Sequence, residues 1–193
     1  MIVLLRGSSG SGKTYVATQF LEWFGPQEPV YQEGWNKVKP KLVGHRLANG
    51  PTLAGNYTYT VPGAKCGGID GLRPFEAVHR LIEELADEGR GLLVEGLLWS
   101  VILGRVVQLS ERYGDQFVIA TLDTPLVVCR ERVLARNGCK PFNTNVMTQH
   151  WLRTHSLAGS FVAAGIRHVF VSYHEAPVAV ARLFGLTPPL GAG

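Results

Sequence analysis

Residues 2–14 read Ile2-Val3-Leu4-Leu5-Arg6-Gly7-Ser8-Ser9-Gly10-Ser11-Gly12-Lys13-Thr14. Gly7, Gly12, Lys13 and Thr14 satisfy the spacing G-x-x-x-x-G-K-[ST], and the context the pattern requires is also present. The apolar run Ile2–Arg6 predicts a strand, and Lys13 to about Phe24 predicts a helix that Gly25-Pro26 stops. Such a loop binds phosphate for physical reasons. Glycines let the chain curl so that successive backbone N–H groups converge on anionic oxygens. The following helix adds the positive end of its dipole. Gly7, Ser8, Ser9, Gly10, Ser11, Gly12, Lys13 and Thr14 are therefore expected to hold the phosphates of ATP. Lys13 would reach the β- and γ-phosphates, and the Thr14 hydroxyl would ligate Mg²⁺.

Working outward, short apolar strands alternate with amphipathic helices. That pattern predicts an α/β domain with a five-stranded parallel sheet and helices on both faces. Strands are expected at Ile2–Arg6, Thr52–Tyr57, Leu92–Glu95, Phe117–Asp123 and His168–Tyr173. Helices are expected from Pro74 to about Glu88, from a Ser100 cap to about Tyr113, from Thr124-Pro125 to about Asn137-Gly138, over 145–164, and over Pro177–Phe184. Residues 26–51 read as an insertion, 58–72 as a Gly-rich loop and 186–193 as a loose tail. With no repeat or linker, residues 1–193 read as one domain.

The bulk composition narrows the function classes. Hydrophobic residues make up 46% and charged residues 18%, as in soluble globular proteins. No apolar run reaches the ~18 residues of a membrane span, and the phosphate loop follows Met1 too closely for a leader peptide. Cys66, Cys129 and Cys139 lack metal-ligand spacing, so free thiols in a reducing cytoplasm are expected. The net charge is +4, with thirteen arginines against six lysines. That excess serves either the nucleotide phosphates alone or an additional surface for a polynucleotide, and it decides between neither.

Beyond the loop, four side chains stand out as catalytic candidates alongside Lys13. Arg132 and Arg136 are four apart, hence on one helix face, where they would stabilise charge on a migrating phosphoryl group. The alternative is a solvated basic face paired with Glu131. Glu95 ends an apolar strand at the carboxyl edge of the sheet, and so faces the ligand crevice, near Mg²⁺ or near the acceptor. Asp70, within Gly67-Gly68-Ile69-Asp70-Gly71, would accept the proton of an attacking hydroxyl. It would otherwise shape a turn or cap a helix. Arg73 would meet an acceptor phosphate or decorate a helix start; Trp35, Tyr57 and Tyr59 would stack on a base or fill the core. His150 and His155 read as structural residues of a mostly buried helix.

These elements together resemble the P-loop kinases of the nucleoside/nucleotide kinase superfamily, with a three-layer fold. Residues 130–145, from Arg132 through Lys140-Pro141, resemble the Arg-rich lid of those enzymes. Leu92-Leu93-Val94-Glu95-Gly96 is similar to the equivalent strand of uridine kinases. Tyr57, Gly67-Gly68-Ile69-Asp70, Glu95-Gly96 and the lid look most like small phage kinases, some of which phosphorylate the hydroxymethyl group of 5-hydroxymethyluracil in DNA. The resemblance implies an ATP- and Mg²⁺-dependent kinase acting on a nucleotide or DNA acceptor in the host cytoplasm. By the same fold analogy, Tyr173-His174-Glu175-Ala176-Pro177 would flank the adenine. A DNA-base kinase would need a basic groove, for which Lys37, Lys39, Lys41 and Arg46 are the candidates. The alternatives are a deoxynucleoside monophosphate kinase, which the Glu95-Gly96-Leu97 sequence disfavours, and a non-catalytic ATP-binding module. Oligomeric state stays open.

Overall fold

A computed structural model describes residues 1–33, 39–57, 68–72 and 74–189. Strand β1 (Ile2–Arg6) is wholly buried and runs through the loop 7–12 into helix α1 (Lys13–Phe24). The chain then forms strands β2 (Gln27–Gln32), β3 (Lys41–Leu47) and β4 (Thr52–Ala54). Helix α2 (Phe75–Asp87), strand β5 (Leu92–Glu95), helix α3 (Leu103–Tyr113) and strand β6 (Phe117–Asp123) follow. Helices α4 (Leu126–Arg136) and α5 (Thr144–Ala163), strand β7 (His168–Ser172) and helix α6 (Ala176–Leu183) complete the order.

The strands form one sheet in the order β2-β3-β4-β5-β1-β6-β7. β4, β5, β1, β6 and β7 pair in parallel, whereas β2–β3 and β3–β4 pair antiparallel. The sheet is therefore mixed and seven-stranded, not the five-stranded sheet expected from the sequence. The two extra strands come from the segment 26–51 that read as an insertion. β2 escaped notice because only Val30 is buried among its six residues and Pro29 lies within it. A polar strand with proline is what a sheet edge tolerates, and it carries little alternation for a pattern to show.

Strand parity sends side chains to two cores. Ile2, Leu4, Leu92, Val94, Phe117 and Ile119 meet α2, α3 and α5 on one face. Val3, Leu5, Leu93, Val118 and Ala120 meet α1 and α6 on the other. Helices thus cover both faces. Helix α3 starts at Leu103 and not at a Ser100 cap: the Ser100 hydroxyl donates to the Leu97 carbonyl at 2.8 Å. The preceding turn Trp99–Val101 is 3₁₀, with the indole of Trp99 fully buried. Among the described residues no helix is long and apolar enough to cross a membrane.

Because β1 lies between β5 and β6, the chain places β2–β5 on one side of it and β6 and β7 on the other, so the strand order reverses direction at β1. A crevice opens at the carboxyl ends of such strands, which is where α/β proteins bind ligands.

Candidate active site

The loop between β1 and α1 owes its shape to backbone demands. Gly10 and Gly12 sit at φ +80° and +102°, a region that costs a side chain energy. A Cβ on Gly10 would also run into the Cys129 carbonyl oxygen, since the loop packs directly on α4. The Thr124 hydroxyl donates to the Ser11 carbonyl at 2.9 Å, and the Ser8 hydroxyl donates to Cys129 Sγ at 3.4 Å. Inside this loop Lys13 Nζ donates to the carbonyls of Gly7 at 2.7 Å and Ser8 at 3.1 Å. Burial pushes the Lys13 ammonium below its ordinary pKa, and the nearby Glu95 carboxylate partly offsets this.

Glu95 ends β5 next to β1, with its side chain buried. The Thr14 hydroxyl donates to its carboxylate at 3.2 and 3.4 Å from the two oxygens. Burial raises the Glu95 pKa above the usual carboxylate range, opposed by Lys13 and by the Thr14 hydrogen bond. A hydroxyl beside a carboxylate at the phosphate end of a crevice is an oxygen donor set suited to Mg²⁺. That ion keeps several waters and takes only one or two protein oxygens along with phosphate. Accordingly, no cluster of three or more metal-ligating side chains occurs among the described residues.

Asp70 lies in the 3₁₀ turn Ile69–Gly71. Its Oδ2 accepts the Leu97 N–H at 2.6 Å, and its Oδ1 accepts those of Leu98 at 2.9 Å and Trp99 at 3.2 Å. Three of roughly four lone-pair sites are thus committed to the backbone, leaving one acceptor position. These bonds are not the local turn or helix cap weighed from sequence, since the amides belong to a segment nearly thirty residues away and α2 has no side-chain cap. Gly68 explains how the turn comes so close: a Cβ there would run into the Glu95 carbonyl oxygen. Gly68→Ala is expected to separate Asp70 from Glu95 and to destabilise the fold by about 1–3 kcal/mol. A thermal melt checks this; an unchanged Tm with intact activity would contradict it.

Lys13, Thr14, Asp70, Glu95, Arg132 and Arg136 all line one cleft of about 420 Å³, together with Ser9, Gly10 and Gly12. Arg132 and Arg136 reach it from α4, whose loop-facing side carries them one turn apart. Arg132 Nη1 donates to the Gly10 carbonyl at 3.4 Å, and its guanidinium lies 5.1 Å from the Tyr173 ring centre. Neither arginine is in an ion pair with Glu131. Tyr173 from the loop after β7 and Ala176 at the start of α6 join Arg132, Ser11, Gly12 and Tyr15 around an adjoining recess.

Other expectations fare differently. Tyr57 is buried, donating its hydroxyl to the Ala54 carbonyl at 3.2 Å and its N–H to His45 Nε2 at 3.3 Å. It is packed in the core and is no open stacking platform. Arg46 is taken up by Glu88 at 2.7 Å and Glu28 at 3.5 Å, so it adds little free positive charge to a groove. Trp35, Lys37, Tyr59, Gly67, Cys66 and Arg73 lie outside the described residues. His155 is structural, its ring 4.1 Å from that of Trp151 and 3.6 Å from the Asp123 carboxylate. His150, read as structural from sequence, is among the residues that line the cleft, as are Leu97 and Leu98. Leu98 and Tyr15 are further wall residues the sequence did not single out. Only their exposure as large apolar or aromatic side chains marks them.

The comparisons with known proteins agree in kind. A family model described as 5-hmdU DNA kinase matches residues 47–163, a span that contains Asp70, Glu95, Arg132 and Arg136. The chain is 31% identical over 164 residues to the 5-hmdU DNA kinase of Pseudomonas phage PaMx11, covering 79% of this chain and 82% of that protein. It is 34% identical over 140 residues to the 5-hmdU DNA kinase of Pseudomonas phage M6, covering 71% and 72%. A third relative, 5-hmdU DNA kinase 1 of Salmonella phage ViI, is 27% identical over 159 residues. With more than half its length inside the family model, and Asp70, Glu95, Arg132 and Arg136 of the cleft inside that match, this chain belongs to the 5-hmdU DNA kinase family.

Proposed function

We propose that the protein transfers the γ-phosphoryl group of ATP to the hydroxymethyl oxygen of 5-hydroxymethyluracil in DNA, in the cytoplasm of an infected host. The observation that carries the reading is the meeting, in one cleft, of a phosphate loop, two carboxylates and two arginines, in a chain of this family. In this reading the chain is a three-layer P-loop kinase, and residues 130–145 act as its lid. Gly7–Thr14 cradle the phosphates, and Lys13 leaves its two carbonyl partners to meet the β- and γ-oxygens. Thr14 and Glu95 are the oxygens that fit Mg²⁺. When bound, the ion neutralises phosphate charge and orients the donor. The recess between Tyr15, Arg132 and Tyr173 receives the adenine.

At the acceptor end the chemistry is a proton and a charge. The hydroxymethyl oxygen bonds to the γ-phosphorus as the bond to the β–γ bridging oxygen breaks. The hydroxyl proton passes to a carboxylate, and we assign that role to the remaining acceptor position of Asp70. Arg132 and Arg136 stabilise the charge spread over the migrating group. Holding these groups in fixed positions supplies most of the acceleration, because phosphoryl transfer asks little covalent chemistry of the protein.

The reading is tested by incubating the protein with ATP labelled in its γ-phosphate and a panel of acceptors: DNA containing 5-hydroxymethyluracil, ordinary DNA, free nucleosides and each deoxynucleoside monophosphate. Label is expected only in the modified DNA. Label confined to a monophosphate would make the protein a nucleotide kinase, and no label in any acceptor would leave it an ATP-binding module. Asp70→Asn is expected to lower turnover on the modified DNA by about 10²-fold or more. It should also lower Tm, because an amide nitrogen facing backbone N–H groups cannot accept from them. Near-normal turnover in that variant would remove Asp70 as the base.

A further inference from the structure

Several arginines of this molecule are in ion pairs and others are not. On the side built from β3, α2 and α3, Arg46 pairs with Glu28 and Glu88, Arg105 with Glu76, and Arg112 with Glu83 and Asp87. Arg132, Arg136, Lys140 and Arg153, on α4, the turn after it and α5, are exposed. Among the described residues none of these four makes an ion pair. Arg132 and Arg136 already face the donor phosphates. Arg153 does not line the cleft, but it stands three residues beyond His150, which does, and so continues the same face of α5.

A second, independent feature lies beneath it. Arg6, the last residue of β1, is completely buried on the α5 side of the sheet. Its guanidinium lies 4.7 Å from the ring centre of Phe161 on α5, and among the described residues none of its three side-chain nitrogens has a hydrogen-bond partner. Burial, and then the positive charge of Arg153, push its pKa down to about 10, so it stays cationic at neutral pH. The nearby imidazole of His168 is held below its ordinary pKa by burial and by Arg6, and its Nε2 is taken up with the Thr121 hydroxyl at 2.9 Å. Among the described residues no carboxylate forms an ion pair with Arg6 or Arg153. A buried cation without a counter-charge is costly, and it creates a field that an anion arriving at the surface relieves.

We propose that the α5 wall, with His150 and Arg153 above the buried Arg6, is the seat of a backbone phosphate of the acceptor DNA. This rests on the reading of the cleft as the site of a DNA kinase and says where the strand runs. Leu98 lines the same cleft as His150, part-exposed and held by its N–H donating to Asp70 Oδ1. The target base turns out of the strand and enters between Leu98 and His150. Its hydroxymethyl group points at Asp70 and Glu95, and the phosphate beside it rests on Arg153. A base must leave the stack for chemistry at its edge, and an apolar rim with an adjoining cation accommodates both parts of the nucleotide.

The test is fluorescence anisotropy of a labelled single-stranded oligonucleotide containing 5-hydroxymethyluracil, titrated with full-length protein at several salt concentrations. Arg153→Glu is expected to weaken binding about tenfold or more and to reduce the slope of log affinity against log salt by about one. Arg153→Lys should restore most of the affinity. Arg182→Glu, a charge reversal on the opposite face at α6, should bind as the wild type does. Melting curves and ATP affinity serve as the check that each variant is folded. If Arg153→Glu binds with wild-type affinity and salt slope, or weakens no more than Arg182→Glu, the surface is wrong while the kinase assignment stands. If the wild type itself neither binds nor labels the modified DNA, the DNA-kinase reading fails and the surface fails with it.

Discussion

Replacing Lys13 by methionine is expected to lower phosphoryl transfer by about 10³-fold or more while leaving the fold intact. The expectation follows from where the ammonium sits and what it lacks. Lys13 is buried in the cleft, its hydrogen bonds among the described residues going to the carbonyls of Gly7 and Ser8, and its pKa is pushed down by desolvation that Glu95 and Asp70 only partly offset. A cation in such a place is poorly compensated until phosphate oxygens replace those carbonyls. Preorganised charge in a water-poor site counts for much more than in solution, and loss of a single such donor costs enzymes on the order of 10²–10³ in rate. Lysine at this position faces the two phosphates between which the bond breaks, which puts the loss at the upper end of that range. Methionine keeps the length of the stem, so circular dichroism and Tm should remain close to wild type. Turnover within tenfold of wild type would mean that the loop does not hold the donor.

Glu95→Gln is expected to show opposite effects on activity and on stability. Activity should fall by about 10²-fold, since a neutral amide no longer attracts Mg²⁺. Stability of the ligand-free protein should rise, because burial raises the Glu95 pKa in the folded chain above its value in the unfolded chain. A carboxyl with that shift contributes stability that is fully present below its unfolded pKa. The contribution disappears as the pH rises through the folded value, when the buried group must carry charge. The two proteins should therefore melt together near pH 4, and the variant should melt higher at pH 7–8. Each kcal/mol of difference appears as roughly 2–4 °C in a chain of this size. Saturating Mg²⁺ and ATP should narrow or reverse the gap by stabilising the wild type alone. A variant that melts below wild type at neutral pH without ligand would show that the carboxylate is stabilising, contrary to its buried setting.

The legible and illegible parts of this chain differ for physical reasons. The loop 7–14 could be read because its residue types answer local backbone demands: Gly10 and Gly12 occupy positive φ, and the flanking strand and helix are immediate neighbours. β5 and β6 match their expected bounds because both faces of the sheet are covered and the strands are continuously apolar. The β2–β3 extension could not be read, since an edge strand with one buried residue has no hydrophobic period. Asp70 shows the limit most clearly. Gly67-Gly68-Ile69-Asp70 suggested a carboxylate with work to do, but its three amide partners come from residues 97–99. Nothing local announces a contact between segments so far apart in the chain. His150 was hard to place for a related reason: helical spacing gives a face of α5 but does not announce that His150 lines the cleft.

The measurement closest to the central claim is the identity of the product. DNA containing 5-hydroxymethyluracil is treated with the protein, ATP and Mg²⁺, digested to nucleosides without phosphatase acting on the base substituent, and resolved by mass spectrometry. The account predicts one new nucleoside, heavier than 5-hydroxymethyldeoxyuridine by a single phosphoryl group carried on the hydroxymethyl oxygen, and absent with the Lys13→Met protein. Phosphate found on the sugar or at a strand end, with the base unchanged, would contradict it.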